Sequence, residues 1–176
     1  MKVLPYTSPG SPLFTIYYLP FTIYPPMTNA QIAERFYRMA ALMEVRGDDS
    51  FRLRSYRNAA EALETWPNSL EQMAKAEGAA GLQTIPGVGK AIAGKIVDMV
   101  ERGTFDAWER MIAETPESVL ELLTIPGIGP KTAALLHQRF KVSSMAELKK
   151  FAAGGGLEMV DGIGGKTAER IKERLR

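Results

Sequence analysis

From Thr28 onward, apolar residues recur at the three- and four-residue steps of an α-helix, interrupted at short intervals by glycine or proline. Thr28 or Asn29 can cap a first helix whose positions Ile32, Phe36, Met39, Ala40 and Met43 keep one apolar face through Val45, until Gly47 and two aspartates end it. A second helix is predicted from Phe51 to Trp66, closed by Pro67. Ser69 opens a shorter one, SLEQMAKAEG, which gives way to a flexible Gly78-Ala79-Ala80-Gly81. Past Gly103, FDAWERMIAET reads as an amphipathic helix and Pro116 starts PESVLELLTI. Val142 begins a linker, Ser144 caps MAELKKFAA, Gly154-Gly155-Gly156 breaks it, and GKTAERIKERLR ends the chain. No strand is expected after residue 26. The fold class is therefore all-α, in two small helical lobes, residues 27–103 and 104–176.

Three stretches share one form: TIPGVGKAIAGKIVDM from Thr84, TIPGIGPKTAALLHQRF from Thr124, and the looser MVDGIGGKTAERIKERL from Met159. In each, an apolar residue and then a Gly-apolar-Gly turn lead into a helix. The turns at Gly87, Gly127 and Gly162 lie 40 and 35 residues apart, as expected of one supersecondary unit used repeatedly. The first glycine suits a positive φ, and the apolar residue between the glycines can plug the space between two helices. The helix that follows begins with unpaired N–H groups, a small positive concavity that fits a phosphate oxygen. Gly87, Gly89, Gly127, Gly129, Gly162 and Gly164, backed by Lys90, Lys131 and Lys166, are the candidate phosphate-binding residues. A set of tight helix–helix turns in an all-α repeat protein is the alternative reading.

Composition adds little to this picture and removes several chemistries from it. Net charge is only +2, so any nucleic-acid surface must come from local placement. The absence of cysteine excludes disulfides, thiolate zinc sites and a thiol nucleophile; one histidine, His137, read as a surface or partly packed residue, excludes a two-histidine mechanism. Residues 1–26 stand apart: they hold six of eleven prolines, four of six tyrosines and one charged residue, Lys2. LFTIYYLPFTIY is too short and too interrupted by Pro20 for a membrane helix. The leader is expected to be a disordered tail or an over-extended reading of the gene, with Met27 the natural start.

The order of MTNAQIAERF, FRLRSYRNAAEAL, TIPGVGKAIAGKI, LLTIPGIGPKTAALL and GGGLEMVDGIGGKTAERI resembles the N-terminal region of bacterial family X DNA polymerases, and the repeated turn resembles the helix-hairpin-helix motif. The resemblance covers residues 27–176. It implies a small lobe for gapped or damaged DNA followed by a hairpin-containing lobe that holds the duplex. A polymerase domain comes next in that family. This chain ends at Arg176 and shows no carboxylate cluster for two metal ions, so polymerase activity is not expected from it alone. A fragment, a truncated gene product and a stand-alone descendant all fit. No cofactor is expected to be required; the family's hairpins often hold Na+ or K+ on turn carbonyls, which would be those of Ile85, Val88, Ile125 and Ile128.

In eukaryotic relatives the small domain removes a 5′-deoxyribose phosphate through a Schiff-base lysine, a role that alignment on the first hairpin places on Lys95. Such an amine must be partly neutral near pH 7. By the same alignment Arg52, Tyr56 and Lys90 surround the 5′-phosphate, with Arg54 on the same basic helix. A further phosphate-binding lysine of the relatives falls on Ala91, a departure. Another departure is Asp161, which replaces the proline of the other two hairpins and puts negative charge beside the third turn. The expected partner is thus gapped, nicked or 5′-phosphorylated DNA, with no membrane, a separate or missing polymerase domain, and a cytoplasmic, nucleoid-associated location. A lyase and a helical protein-interaction module are the alternatives. A solvated helix face is the plain reading of Lys95 and of the arginines.

Overall fold

A computed structural model describes residues 25–176, so the expectations for the leader fall almost wholly outside the described residues. Among the described residues nine helices follow one another: α1 (Asn29–Arg46), α2 (Ser50–Glu64), α3 (Leu70–Leu82), α4 (Lys90–Arg102), α5 (Asp106–Glu114), α6 (Val119–Leu122), α7 (Pro130–Phe140), α8 (Met145–Ala153) and α9 (Gly165–Arg174). A 3₁₀ turn at Gly156–Met159 joins α8 to α9, and the described residues contain no strand. The all-α class is as the periodicity indicates. Among the described residues no helix is long and apolar enough to cross a membrane.

Local chemistry sets the helix starts. The Thr28 hydroxyl accepts the Gln31 amide at 3.2 Å while the Gln31 side chain accepts the Thr28 amide at 2.8 Å, a reciprocal cap on α1. Asn29 reaches further along the chain. Its side chain donates to the carbonyls of Trp66 and Asn68 and accepts the Leu70 amide at 3.0 Å, which pins the start of α1 to the turn between α2 and α3. Asp49, Ser69 and Ser144 cap α2, α3 and α8. The expected break at Gly78 is a kink instead (φ 62°, ψ −150°), after which helix resumes to Leu82 because Leu82 is wholly buried in the core.

The apolar residues divide into two clusters. The first is built on α1 to α5, with the Phe36 ring 5.8 Å from both Tyr56 and Phe105. The second gathers Val119, Leu122, Leu136, Leu148, Leu157 and Ile171. Phe105, Trp108 and Met111, on the segment assigned from the sequence to the second lobe, pack in the first. Gly103, at φ 72°, turns the chain back after α4 so that the short apolar face of α5 meets that core. Val45, near the end of α1, joins the second cluster, and α1 ion pairs, Arg38 with Glu117 and Arg46 with Glu114, run alongside.

Candidate nucleic-acid interface

The three Gly-apolar-Gly turns have one backbone. Gly87, Gly127 and Gly162 take φ of 84°, 101° and 89°, where a side chain is strained, and Val88, Ile128 and Ile163 are buried as plugs. In each turn the plug's amide donates at 3.0 Å to the carbonyl three residues back, on Ile85, Ile125 and Val160. Gly89, Gly129 and Gly164 are extended and cap α4, α7 and α9 without any side-chain hydrogen bond. The Gly89 and Gly164 carbonyls receive two amides each and Gly129 that of Ala133, while the amides of Gly87, Gly89, Gly127, Gly129, Gly162 and Gly164 donate to no backbone carbonyl among the described residues. The glycines that carry these donors are exposed, and Lys90, Lys131 and Lys166 beside them are exposed and without an ion-pair partner among the described residues.

The surroundings of the turns differ. Thr84 and Thr124 each fold their hydroxyl back onto a carbonyl of the preceding helix, Gly81 at 2.6 Å and Glu121 at 2.7 Å. The third turn has Met159 there, 67% exposed. Pro130 removes one free donor from the second turn, whereas Gly165 keeps it in the third. Asp161 faces Arg139 of α7 at 3.4 Å, which offsets part of its charge. The second and third turns are neighbours: a Cβ on Gly127 would lie 2.7 Å from the Thr167 methyl.

The turn carbonyls of Ile85, Val88, Ile125 and Ile128 differ in how they are occupied. Ile85 and Ile125 each spend one lone pair on the plug amide, and Val88 and Ile128 accept no backbone amide among the described residues.

Lys95 lies on the side of α4 that faces α2 and α5. Its Nζ is 5.8 Å from the centre of the Tyr56 ring and donates to the Ala91 carbonyl at 2.9 Å. Lys90, Gly94, Lys95, Asp98, Asp106 and Arg110 line the open groove there, about 570 Å³ in volume. Burial, reinforced by Arg52 and Arg110 and opposed by Asp98, holds the Lys95 ammonium below the ordinary lysine range. Burial raises the Tyr56 phenol, against the pull of the same two arginines. Tyr56 is only 5% exposed, a core residue whose ring forms the floor beneath Lys95.

Lys95 therefore stands beside Tyr56, with Lys90 in the same groove and Arg52 close enough for its charge to act on Lys95. Arg54 does not join them: it is exposed and absent from the charges acting on Lys95, and Arg57 is taken by an ion pair with Glu44. Arg110 is the residue sequence reasoning missed. It sits in an ordinary amphipathic helix, and only the return of α5 against α4 brings it to Lys95. His137 is half-buried, with Nδ1 2.7 Å from the Ser143 hydroxyl and Nε2 3.3 Å from the Glu114 carbonyl.

Known proteins resemble this chain in sequence. Residues 27–105 match the family model of a helix-hairpin-helix domain, and residues 119–176 that of a SAM-like helix-hairpin-helix tandem. The chain is 30% identical over 137 residues to the DNA polymerase/3′-5′ exonuclease PolX of Bacillus subtilis, which is 78% of this chain and 23% of that protein. Over 56 residues it is 41% identical to the Holliday junction branch migration complex subunit RuvA of Albidiferax ferrireducens, 32% of this chain and 30% of RuvA. A RuvA of an Acidovorax species is 36% identical over 64 residues, 36% of this chain and 34% of RuvA. The chain thus spans about a quarter of PolX and about a third of the RuvA relatives.

Proposed function

We propose that this chain, a helix-hairpin-helix protein that corresponds to the N-terminal region of the family X DNA polymerases, is a sequence-nonspecific DNA-binding module for gapped, nicked or 5′-phosphorylated repair intermediates. The observation that carries the reading is the threefold recurrence of one turn: positive-φ glycine, buried plug, uncapped helix start and exposed lysine. A phosphate oxygen placed there meets free amides, the positive end of a helix and an ammonium. None of these groups reads a base edge. Na+ or K+ on the carbonyls of Ile85 and Val88, or Ile125 and Ile128, would add a positive charge between turn and phosphate. A polymerase domain or subunit would act on the end so held.

Fluorescence anisotropy with gapped duplexes tests the reading. With three to five phosphates neutralised, log K falls against log salt with a slope of about −3 to −4.5, independent of base sequence. A slope near zero overturns it, and no affinity even at low salt leaves the protein-interaction module.

A second reading, a deoxyribose-phosphate lyase, is favoured by the lowered Lys95 ammonium above Tyr56. The neutral amine would add to the C1′ aldehyde and lose water to form an imine; loss of a C2′ proton to water then breaks the C3′–O bond, releases the downstream strand with a 5′-phosphate, and leaves an unsaturated imine whose hydrolysis frees the lysine. Borohydride should trap the adduct on an incised abasic duplex, and an undiminished adduct with Lys95→Ala rejects the assignment.

A further inference from the structure

The two cores each reach into the other. In sequence the first cluster ends at Met111 and the second begins at Val119, with one crossing residue in each direction. Val45, near the end of α1, is 3% exposed and packs among the residues of the second core, while Leu120 on α6 packs against the first. Its neighbours Val119 and Leu122 are wholly buried in the second core, so the single turn of α6 stands between the two. α1 accordingly lies against α6 and α7 as well as α2.

Polar links follow the same seam. Arg46 holds Asp48 at 2.5 Å on its own side and Glu114 across the seam; Arg38 holds Glu34 at 2.8 Å on its own side and Glu117 across it. The Glu114 carbonyl lies 3.3 Å from His137 Nε2 on α7, so Glu114 is gripped from α1 by its side chain and from α7 by its backbone. The two ion pairs that cross are exposed at one end or both, and pairs of that kind contribute little alone. The apolar exchange therefore holds the lobes together, since Val45 leaves water only if the second core covers it. The ion pairs and His137 set the angle.

Lobes on a loose tether would reorient freely, and the second lobe to meet DNA would have to be ordered on binding. Lobes that share core residues have lost that freedom on folding. We propose that the exchange of Val45 and Leu120 locks the two lobes into one rigid body, so that the first turn and the paired second and third turns grip a single DNA as a preformed two-part clamp. This rests on the DNA-binding reading above and adds to it the residues that fix the spacing between its parts. Val45, Leu120 and Glu114 are positioning residues that act through the turns they hold in place.

The test uses the full chain with duplexes of about 10 and about 30 base pairs; the shorter, roughly 34 Å long, is about as broad as one lobe. Val45→Thr with Leu120→Ser should weaken binding of the longer duplex about tenfold and leave the shorter within about twofold. If that pair does not fold, Leu120→Ser alone, at a half-buried site, is read in the same way. The chain has no cysteine, so a crosslink can be placed at one point. Adding Arg46→Cys and Glu114→Cys to the loosened variant and bridging them with a short bis-maleimide should restore the longer duplex to within about twofold of wild type. Lost core stability alone would give no such rescue. Amide ¹⁵N relaxation should give the helices of both lobes one rotational correlation time in the wild type and two in the variant. Equal losses on both duplexes, no loss on either, no rescue by the crosslink, or two correlation times in the wild type overturn the inference. If the wild type binds neither duplex, the DNA-binding reading fails and relaxation alone decides the interlock: one correlation time that splits in the variant supports it, and one that does not split overturns it.

Discussion

Six residues past the second glycine, the helix of the first hairpin carries Lys95, that of the second Leu135 and that of the third Arg170. The first and third hairpins have the same turn, plug and uncapped helix start, yet Lys95 packs against Tyr56 in a groove walled by α5 and Arg170 stands exposed. The backbone of the clamp is repeated; the chemistry beside it is not. The first hairpin is embedded in a five-helix lobe that brings in Arg52 and Arg110 from outside the motif. The third packs beside the second, with Thr167 close to Gly127. A repeated motif therefore supplies the same free turn amides each time, and its surroundings decide what stands beside each copy.

The largest break in this comparison is expected from Gly127→Ala. That residue combines φ 101° with a Cβ position 2.7 Å from the Thr167 methyl, whereas Gly87 has φ 84° and only the Asn58 carbonyl at 3.9 Å. Denaturant unfolding should give a loss of roughly 2–4 kcal/mol for Gly127→Ala against about 1–2 for Gly87→Ala. Equal losses would mean that the second and third turns do not lean on each other.

Next is the pH dependence of the first hairpin. Because the folded state holds Lys95 below its unfolded pKa, the unfolded chain binds more protons between those two values. Stability of the wild type relative to Lys95→Met is therefore lowest below the folded pKa and rises as pH climbs from it to the ordinary lysine range. A flat difference between wild type and Lys95→Met, read from denaturant midpoints, would remove the special status of Lys95.

The smallest effect concerns Asp161. Its pair with Arg139 is exposed at both ends, and such pairs contribute about 0–1 kcal/mol. Asp161→Asn should leave unfolding nearly unchanged and tighten DNA about two- to threefold by removing a like charge near the third turn. No tightening at low salt would take the third hairpin out of the DNA contact.

Much of this protein is legible along the chain because its elements are local. Helix periodicity, the capping Thr28, Ser69 and Ser144, and the glycines of the three turns each act within a few residues, and most of the helices follow from them; PESVLELLTI, expected as a helix from Pro116, is helical only over Val119–Leu122. Gly78 was legible as a break and not as a kink, since the burial of Leu82 that continues α3 is set by distant partners. Lys90 and Lys95 could be placed by their distance from the hairpin glycines. Arg110 could not, because nothing in FDAWERMIAET marks it off from a solvated arginine.

By itself the sequence determined an all-α chain with three copies of one anion-ready turn, since backbone conformation at glycine and apolar spacing depend on neighbours only. The tertiary structure decided that α5 closes on the first core, that Arg102 occupies both groove aspartates, and that Tyr56 underlies Lys95. Burial and electrostatic fields are properties of what packs around a side chain, and that packing joins α2, α4 and α5 across more than fifty residues.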